Sequence, residues 1–202
     1  MSVSEDREVT PAVQAAPSAS IADPGPLGLA AFALTTFLLS AVNAHWTNGN
    51  SAGTAFLGYA LAYGGLVQLL AGMWEFRRGN VFAATAFSSY GGFWIGLFVW
   101  IRVAPAATGH DLGWILLAFA IFNTYMLLLA TQVNLAVFLV FLTLELTEIF
   151  LFIGNFTSSA GLSQVGGYLG VITALVAWYT SAAGIAGGIG GRIVLPVGKP
   201  LI

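Results

Sequence analysis

Two carboxylates, Glu145 and Glu148, stand three residues apart inside an otherwise apolar run from Val133 to Ile153. On a helix this spacing places both on one side, and Leu144 lies one turn from Glu148 on the same stripe. An ionisable side chain in the hydrocarbon of a bilayer costs about 2.5 to 3.5 kcal/mol on insertion scales, so it usually faces a bundle interior or a water path. Two carboxylates held this close repel when both are ionised, which lets one keep its proton and act as a proton carrier. The alternative is structural: both accept hydrogen bonds from neighbouring helices or from another protomer. Neutral groups within or beside apolar runs are Thr35, Thr36, Asn43, Gln68 and Tyr90. Each of these also suits an interhelix hydrogen bond, worth about 0.6 kcal/mol on average in a membrane protein.

The elements that must position these groups are six apolar runs: Leu27 to Ala44, Thr54 to Trp74, Phe82 to Ile101, Leu112 to Ala130, Val133 to Ile153 and Val165 to Ile185. Each approximates the roughly 20 residues that cross a bilayer as a helix. From Leu27 to Gly191 the chain carries seven charged residues, and all but Glu145 and Glu148 sit at the edges of runs. Apolar residues make up 58% and charged residues 7%, far from the roughly 25% charged content of a soluble domain. The expected class is all-α and polytopic, with six transmembrane helices over residues 23–191. Residues 1–22 are polar and rich in Ala, Ser and Pro, which reads as a disordered tail, and residues 192–202 form a second short tail.

Other chemistries find little support. The chain has no cysteine and only two histidines, His45 and His110, so neither a thiolate nor a histidine-rich metal site is expected, and no cofactor is expected. A net charge of −2 with six Lys and Arg argues against a nucleic-acid partner. No catalytic serine or phosphate-binding loop stands out, so an enzyme is not expected. Arg7, Arg77, Arg78, Arg192 and Lys199 fall on one side of the six runs and Arg102 alone on the other. The side rich in Lys and Arg faces the cytoplasm, which puts both termini there, in a plasma (inner) membrane. His45 beside Trp46 then lies at the opposite interface, where aromatic residues anchor.

A short self-similarity links the halves. Gly79-Asn80 recurs as Gly154-Asn155 and Gly91-Gly92 as Gly166-Gly167, both shifted by 75 residues. Three spans per repeat is an odd number, so the second half must be inverted, an arrangement in which transport sites form between repeats near the midplane. Glycine closes a helix in the left-handed conformation and Asn caps the next one, so each Gly-Asn pair is expected to mark a tight break. Such breaks either face an anionic substrate with a helix N-terminus or are ordinary surface turns; Asn155 suits either role.

Ahead of the first run stands Asp23-Pro24-Gly25-Pro26-Leu27-Gly28-Leu29, where the prolines are expected to forbid helix until Leu27. This segment resembles the Asn-Pro-Ala-Pro-Leu-Gly-Leu signature of the acetate uptake transporter family, the succinate-acetate permeases of microbes. Asp23 and Gly25 depart from it, and Asp23 adds a negative charge where the signature has a neutral cap. A longer stretch is similar to the family as well: Tyr63-Gly64-Gly65, Gln68, Ala71-Gly72, Glu75-Phe76, Gly79-Asn80, Phe82, Thr85-Ala86-Phe87, Ser89-Tyr90-Gly91 and Phe93-Trp94. Gly191-Arg192 and Val194-Leu195-Pro196 extend the likeness close to the C-terminus.

The resemblance implies a six-helix protomer assembled as a homo-hexamer in the lipid bilayer, with a substrate pathway through each protomer and an apolar constriction at Phe32, Tyr90 and Leu144. Phe32 lies only about a turn and a half into its run, so such a ring requires Asp23 to Pro26 to fold into the cytoplasmic funnel. With no Lys or Arg inside a run, a carboxylate is held by neutral donors such as Thr35, Thr36, Asn43, Gln68 and Asn155, weakly enough to pass. The substrate expected is acetate or a related short carboxylate such as succinate, moved by a channel or with a proton through Glu145 and Glu148. Two rivals are a channel for a small neutral solute, such as urea or ammonia, and a membrane sensor or scaffold.

Overall fold

The computed structural model describes residues 21–47, 56–104 and 108–202. Among the described residues there is no strand, and six helices are long and apolar enough to cross a membrane: α1 (Gly25–Asn43), α2 (Phe56–Arg78), α3 (Val81–Val103), α4 (Gly109–Ala130), α5 (Leu135–Phe156) and α6 (Ala160–Ile189). Arg7 and the expected disordered tail, apart from Ile21 and Ala22, lie outside the described residues, as does the start of the second run at Thr54.

Helix ends follow local chemistry. α2 closes at Gly79, whose φ of 80° is left-handed, and Asn80 then caps α3 by accepting the Ala83 N–H at 3.2 Å. Thr108 and Asp111 form a reciprocal capping box at the start of α4. Two expectations are corrected. α1 begins at Gly25 with Pro26 in its first turn, because a first-turn N–H has no intrahelical partner and proline loses nothing there. Gly154-Asn155 precedes the break rather than forming it: both residues lie in the last turn of α5, Asn155 Nδ2 donates back to the Leu151 carbonyl at 2.8 Å, and Ser159 is the residue that caps α6.

Each helix packs on its chain neighbours except across the α3–α4 seam, and α1 lies against α6, so the backbones follow the order α4, α5, α6, α1, α2, α3. Aromatic side chains close the seam, with Tyr90 and Phe93 of α3 meeting Phe119 of α4 at ring separations of 5.8 and 4.7 Å. Within α2, residues Ala60–Val67 are π-helical, and there the helix approaches α1 closely. A Cβ on Gly64 would lie 2.6 Å from Thr35 Oγ1 and 2.7 Å from Thr35 Cβ. Gly64→Val is therefore expected to wedge α1 from α2 and destabilise the protein by about 1 to 3 kcal/mol or more; thermal unfolding in detergent should show a midpoint several degrees lower, and an unchanged midpoint would contradict the close packing.

Residues 192–202 are bound rather than free. The Ala136 N–H at the start of α5 donates to the Val197 carbonyl at 2.9 Å, the Leu201 N–H to Thr131 O at 2.7 Å, and Tyr179 Oη to Pro196 O at 2.7 Å. This strap joins the ends of α4, α5 and α6 at the face where α1 starts and α2 ends.

Candidate functional site

Two cavities lie along the bundle interior. A funnel of about 460 Å³ opens at the strap end, walled by Asp23, Gln68, Glu75, Phe82, Asn134 and Val197 among others. A second cavity of about 40 Å³ lies deeper, with Thr36, Asn43, Trp94, Thr147 and Glu148 in its wall. Phe32, Tyr90 and Leu144 are the three residues that belong to both walls. All three are buried, and the Phe32 and Tyr90 rings meet edge to face at 5.7 Å. Three side chains from α1, α3 and α5 thus separate the two spaces. The signature segment stands at the wide end, with Asp23, Gly25 and Pro26 on the funnel wall. A Cβ on Gly28 would lie 2.7 Å from the Phe87 ring, which sets α1 against α3 there.

The funnel mouth carries an ionic cluster that the sequence reading did not pick out. Arg78 Nη1 lies 2.6 Å from Asp23 Oδ1 and 3.4 Å from Glu75 Oε2, and Asp23 Oδ1 also accepts the Gly25 N–H at 2.8 Å. The additional charge on Asp23 therefore has a partner, and the same oxygen starts α1. Glu75 is 1% exposed although it stands only three residues from the end of α2. Its position at the edge of a run gave no sign of that burial.

At the ring, Tyr90 Oη donates to Asn123 Oδ1 at 2.9 Å, with Glu148 Oε1 more distant at 3.5 Å. Asn123 Nδ2 in turn donates to the Phe141 carbonyl at 3.0 Å and to Glu145 Oε2 at 2.7 Å, and Thr124 Oγ1 reaches Glu145 Oε1 at 2.8 Å. The two carboxylates therefore have different surroundings. Glu148 lines the small cavity beside Leu144, whereas Glu145 turns to α4 and is tied there by Asn123 and Thr124. Asn123 is wholly buried and links the constriction to Glu145. A lone Asn in the middle of the fourth apolar run was the signal available for it.

The neutral candidates divide as well. Thr36 and Asn43 line the small cavity and Gln68 the funnel. Thr35 lines neither: its hydroxyl donates to Ala31 O at 3.1 Å within α1, with Tyr59 O at 3.4 Å, and it packs on Gly64. Asn155 also lies outside both cavities, against Gly109 at the far end of α4. Their neighbours explain the split, since Thr35 and Thr36 point about 100° apart on one helix.

Among the described residues no cluster of His, Cys, Asp and Glu could hold a metal ion. What this interior can do is exchange the hydration of a small polar solute for neutral hydrogen-bonding groups on either side of a dry ring. That is the work of a membrane channel or carrier.

Residues 6–198 match the GPR1/FUN34/yaaH family, and the chain belongs to it. Ammonia transport outward protein 2 of Saccharomyces cerevisiae is 40% identical over 188 residues, covering 88% of this chain and 66% of that one. The succinate-acetate/proton symporter SatP of Escherichia coli is 33% identical over 185 residues, with 89% of this chain and 96% of that protein covered. The solved structure of the bacterial acetate channel SatP superposes with a TM-score of 0.83 at 32% identity, covering 89% of this chain and all of that one. The chain thus spans 66% of its yeast relative and nearly all of its bacterial one.

Proposed function

We propose that this membrane protein transports acetate and related short carboxylates such as succinate through the path formed by the two cavities, with Phe32, Tyr90 and Leu144 as its constriction. The observation that carries this reading is that, among the described residues, the funnel and the inner cavity have only those three side chains in common. A carboxylate enters the funnel past Asp23 and Arg78, meets Gln68, sheds water at the ring and gains Thr36, Asn43 and Glu148 beyond it. Arg78 at the mouth is paired with Asp23 and Glu75, and among the described residues no Lys or Arg lines the funnel wall, so binding stays weak enough for passage. Glu148 is the residue that carries a proton with the substrate, and Glu145 anchors α5 to α4. Names of the SatP relatives support the substrate class; the yeast relative's name supports ammonia as the rival. The strap end is cytoplasmic on the Lys and Arg count, and the assembly is a homo-hexamer in the plasma (inner) membrane with no enzymatic activity.

Vesicles containing the protein should take up labelled acetate faster than protein-free vesicles. Unlabelled succinate should compete, while urea and ammonium at the same concentration should not. Equal competition by urea or ammonium would move the assignment to a neutral-solute channel.

A further inference from the structure

Three buried polar atoms on residues that wall the 40 Å³ cavity have no hydrogen-bond partner among the described residues: Trp94 Nε1, Thr36 Oγ1 and Glu148 Oε2. Their residues are 3%, 5% and 5% exposed. They come from three helices, α3, α1 and α5. An indole N–H can only donate, an ionised carboxylate can only accept, and a hydroxyl does either. A ligand that satisfies all three must offer an acceptor and a donor side by side.

A carboxylic acid group has that pattern. Its carbonyl oxygen accepts from Trp94 Nε1, its hydroxyl donates to Glu148 Oε2, and Thr36 Oγ1 takes up a remaining lone pair. A carboxylate anion facing an ionised Glu148 would set like charges together in a dry space, and one proton between them removes that repulsion. The titratable groups around Glu148 are Tyr90 of α3, whose hydroxyl is 3.5 Å from Oε1, and Glu145 on α5 itself. Among the described residues no Lys, Arg or His lines the cavity, so none of them supplies a cation to take the proton's place.

We propose that this cavity binds one short monocarboxylic acid as a proton-sharing pair with Glu148, held by Trp94 and Thr36. The complex contains the substrate carboxylate, the Glu148 carboxylate and one proton, which lies between a substrate oxygen and Glu148 Oε2; no covalent bond changes. The cavity of about 40 Å³ has room for roughly three to four water-sized atoms at about 10 to 15 Å³ each. Acetic acid fills that space, whereas succinic acid exceeds it. The wide funnel therefore admits both, and the inner cavity holds acetic acid as a bound ligand, whereas succinate passes only as that cavity widens. This inference rests on the transport reading above and adds the ligand's protonation and size.

The test uses the full chain in lipid nanodiscs and reads the indole N–H resonances of its six tryptophans, with Trp94 assigned by the signal lost in Trp94→Phe. Sodium acetate should move the Trp94 resonance, and sodium succinate at equal concentration should not. Across a titration from pH 5 to 9, the acetate concentration for half the shift should rise about tenfold per pH unit at the alkaline end, as the uptake of one proton requires. Glu148→Gln should shift Trp94 only at higher acetate concentration, because the shared proton is gone, and should lose that slope. Thr36→Val should weaken acetate about tenfold while retaining the slope, which keeps the idea testable if the glutamine variant does not assemble. A Trp94 signal that ignores acetate, follows it without a pH slope in the wild type, or responds equally to succinate overturns the proposal. Labelled-acetate uptake in vesicles separates the two failures: uptake without a Trp94 response means the cavity holds water only, and no uptake removes the transport reading itself.

Discussion

Glu148→Gln is expected to retain acetate flux down its own gradient at a reduced rate and to abolish the response of that flux to an imposed pH gradient. The wild type, given an outside-acid gradient of about one unit, should accumulate labelled acetate up to tenfold, because one unit is worth about 1.4 kcal/mol per coupled proton. Glutamine keeps the shape of the side chain and its hydrogen bonding to Tyr90 Oη but cannot titrate. Glu145 has no place on either cavity wall and is held by Asn123 and Thr124, so Glu145→Gln should retain coupling and show its effect in assembly. Gel filtration in detergent checks assembly for both variants, and protein-free vesicles set the background from acid crossing the lipid. Should Glu148→Gln assemble normally and still accumulate acetate under the pH gradient, the proton does not travel by that residue.

The second large effect concerns the ring. Leu144→Ala removes most of one of the three side chains that divide the funnel from the inner cavity, and the uptake ratio of butyrate to acetate should rise by about tenfold, equivalent to roughly 1.4 kcal/mol of relative barrier. Tyr90→Phe keeps the ring against Phe32 but strips Asn123 Oδ1 of its donor, which should weaken discrimination between acetate and urea with little change in the size limit. Competition of labelled-acetate uptake by each solute measures both. An unchanged butyrate ratio in Leu144→Ala would remove Leu144 from the constriction.

Much of this architecture was legible from length and chemistry alone. Bilayer thickness fixes how many apolar residues a span needs, so six runs of that length read as six helices, and Gly79-Asn80 marked its turn because only glycine enters the left-handed region freely. The same dipeptide at Gly154-Asn155 misled, since Gly154 is small for another reason: a Cβ there would lie 2.6 Å from Ser163 Oγ of α6. Close approach and helix closure both select glycine, and one sequence does not tell them apart. Thr35 and Thr36 were separable in the sequence, because Thr36, Ser40 and Asn43 recur at i, i+4 and i+7 on one face of α1 and all three line the inner cavity, whereas Thr35 falls off that stripe. Asn123 escaped for a topological reason. Its partners Tyr90, Phe141 and Glu145 lie 18 to 33 residues away on two other helices, a separation that spacing rules within one helix do not reach.

The bound strap also sets an order of events during biogenesis. Helices enter the bilayer as they are made, N-terminal first, yet Leu195 and Val197 of the funnel wall, and the carbonyl that receives the Ala136 N–H, lie beyond the last of the six helices. Nothing can finish the wide chamber until α6 has been threaded and the chain behind it has turned back to α5. A nascent protomer therefore holds its mouth unfinished for as long as its spans are still assembling, and completion of the chamber coincides with completion of the bundle.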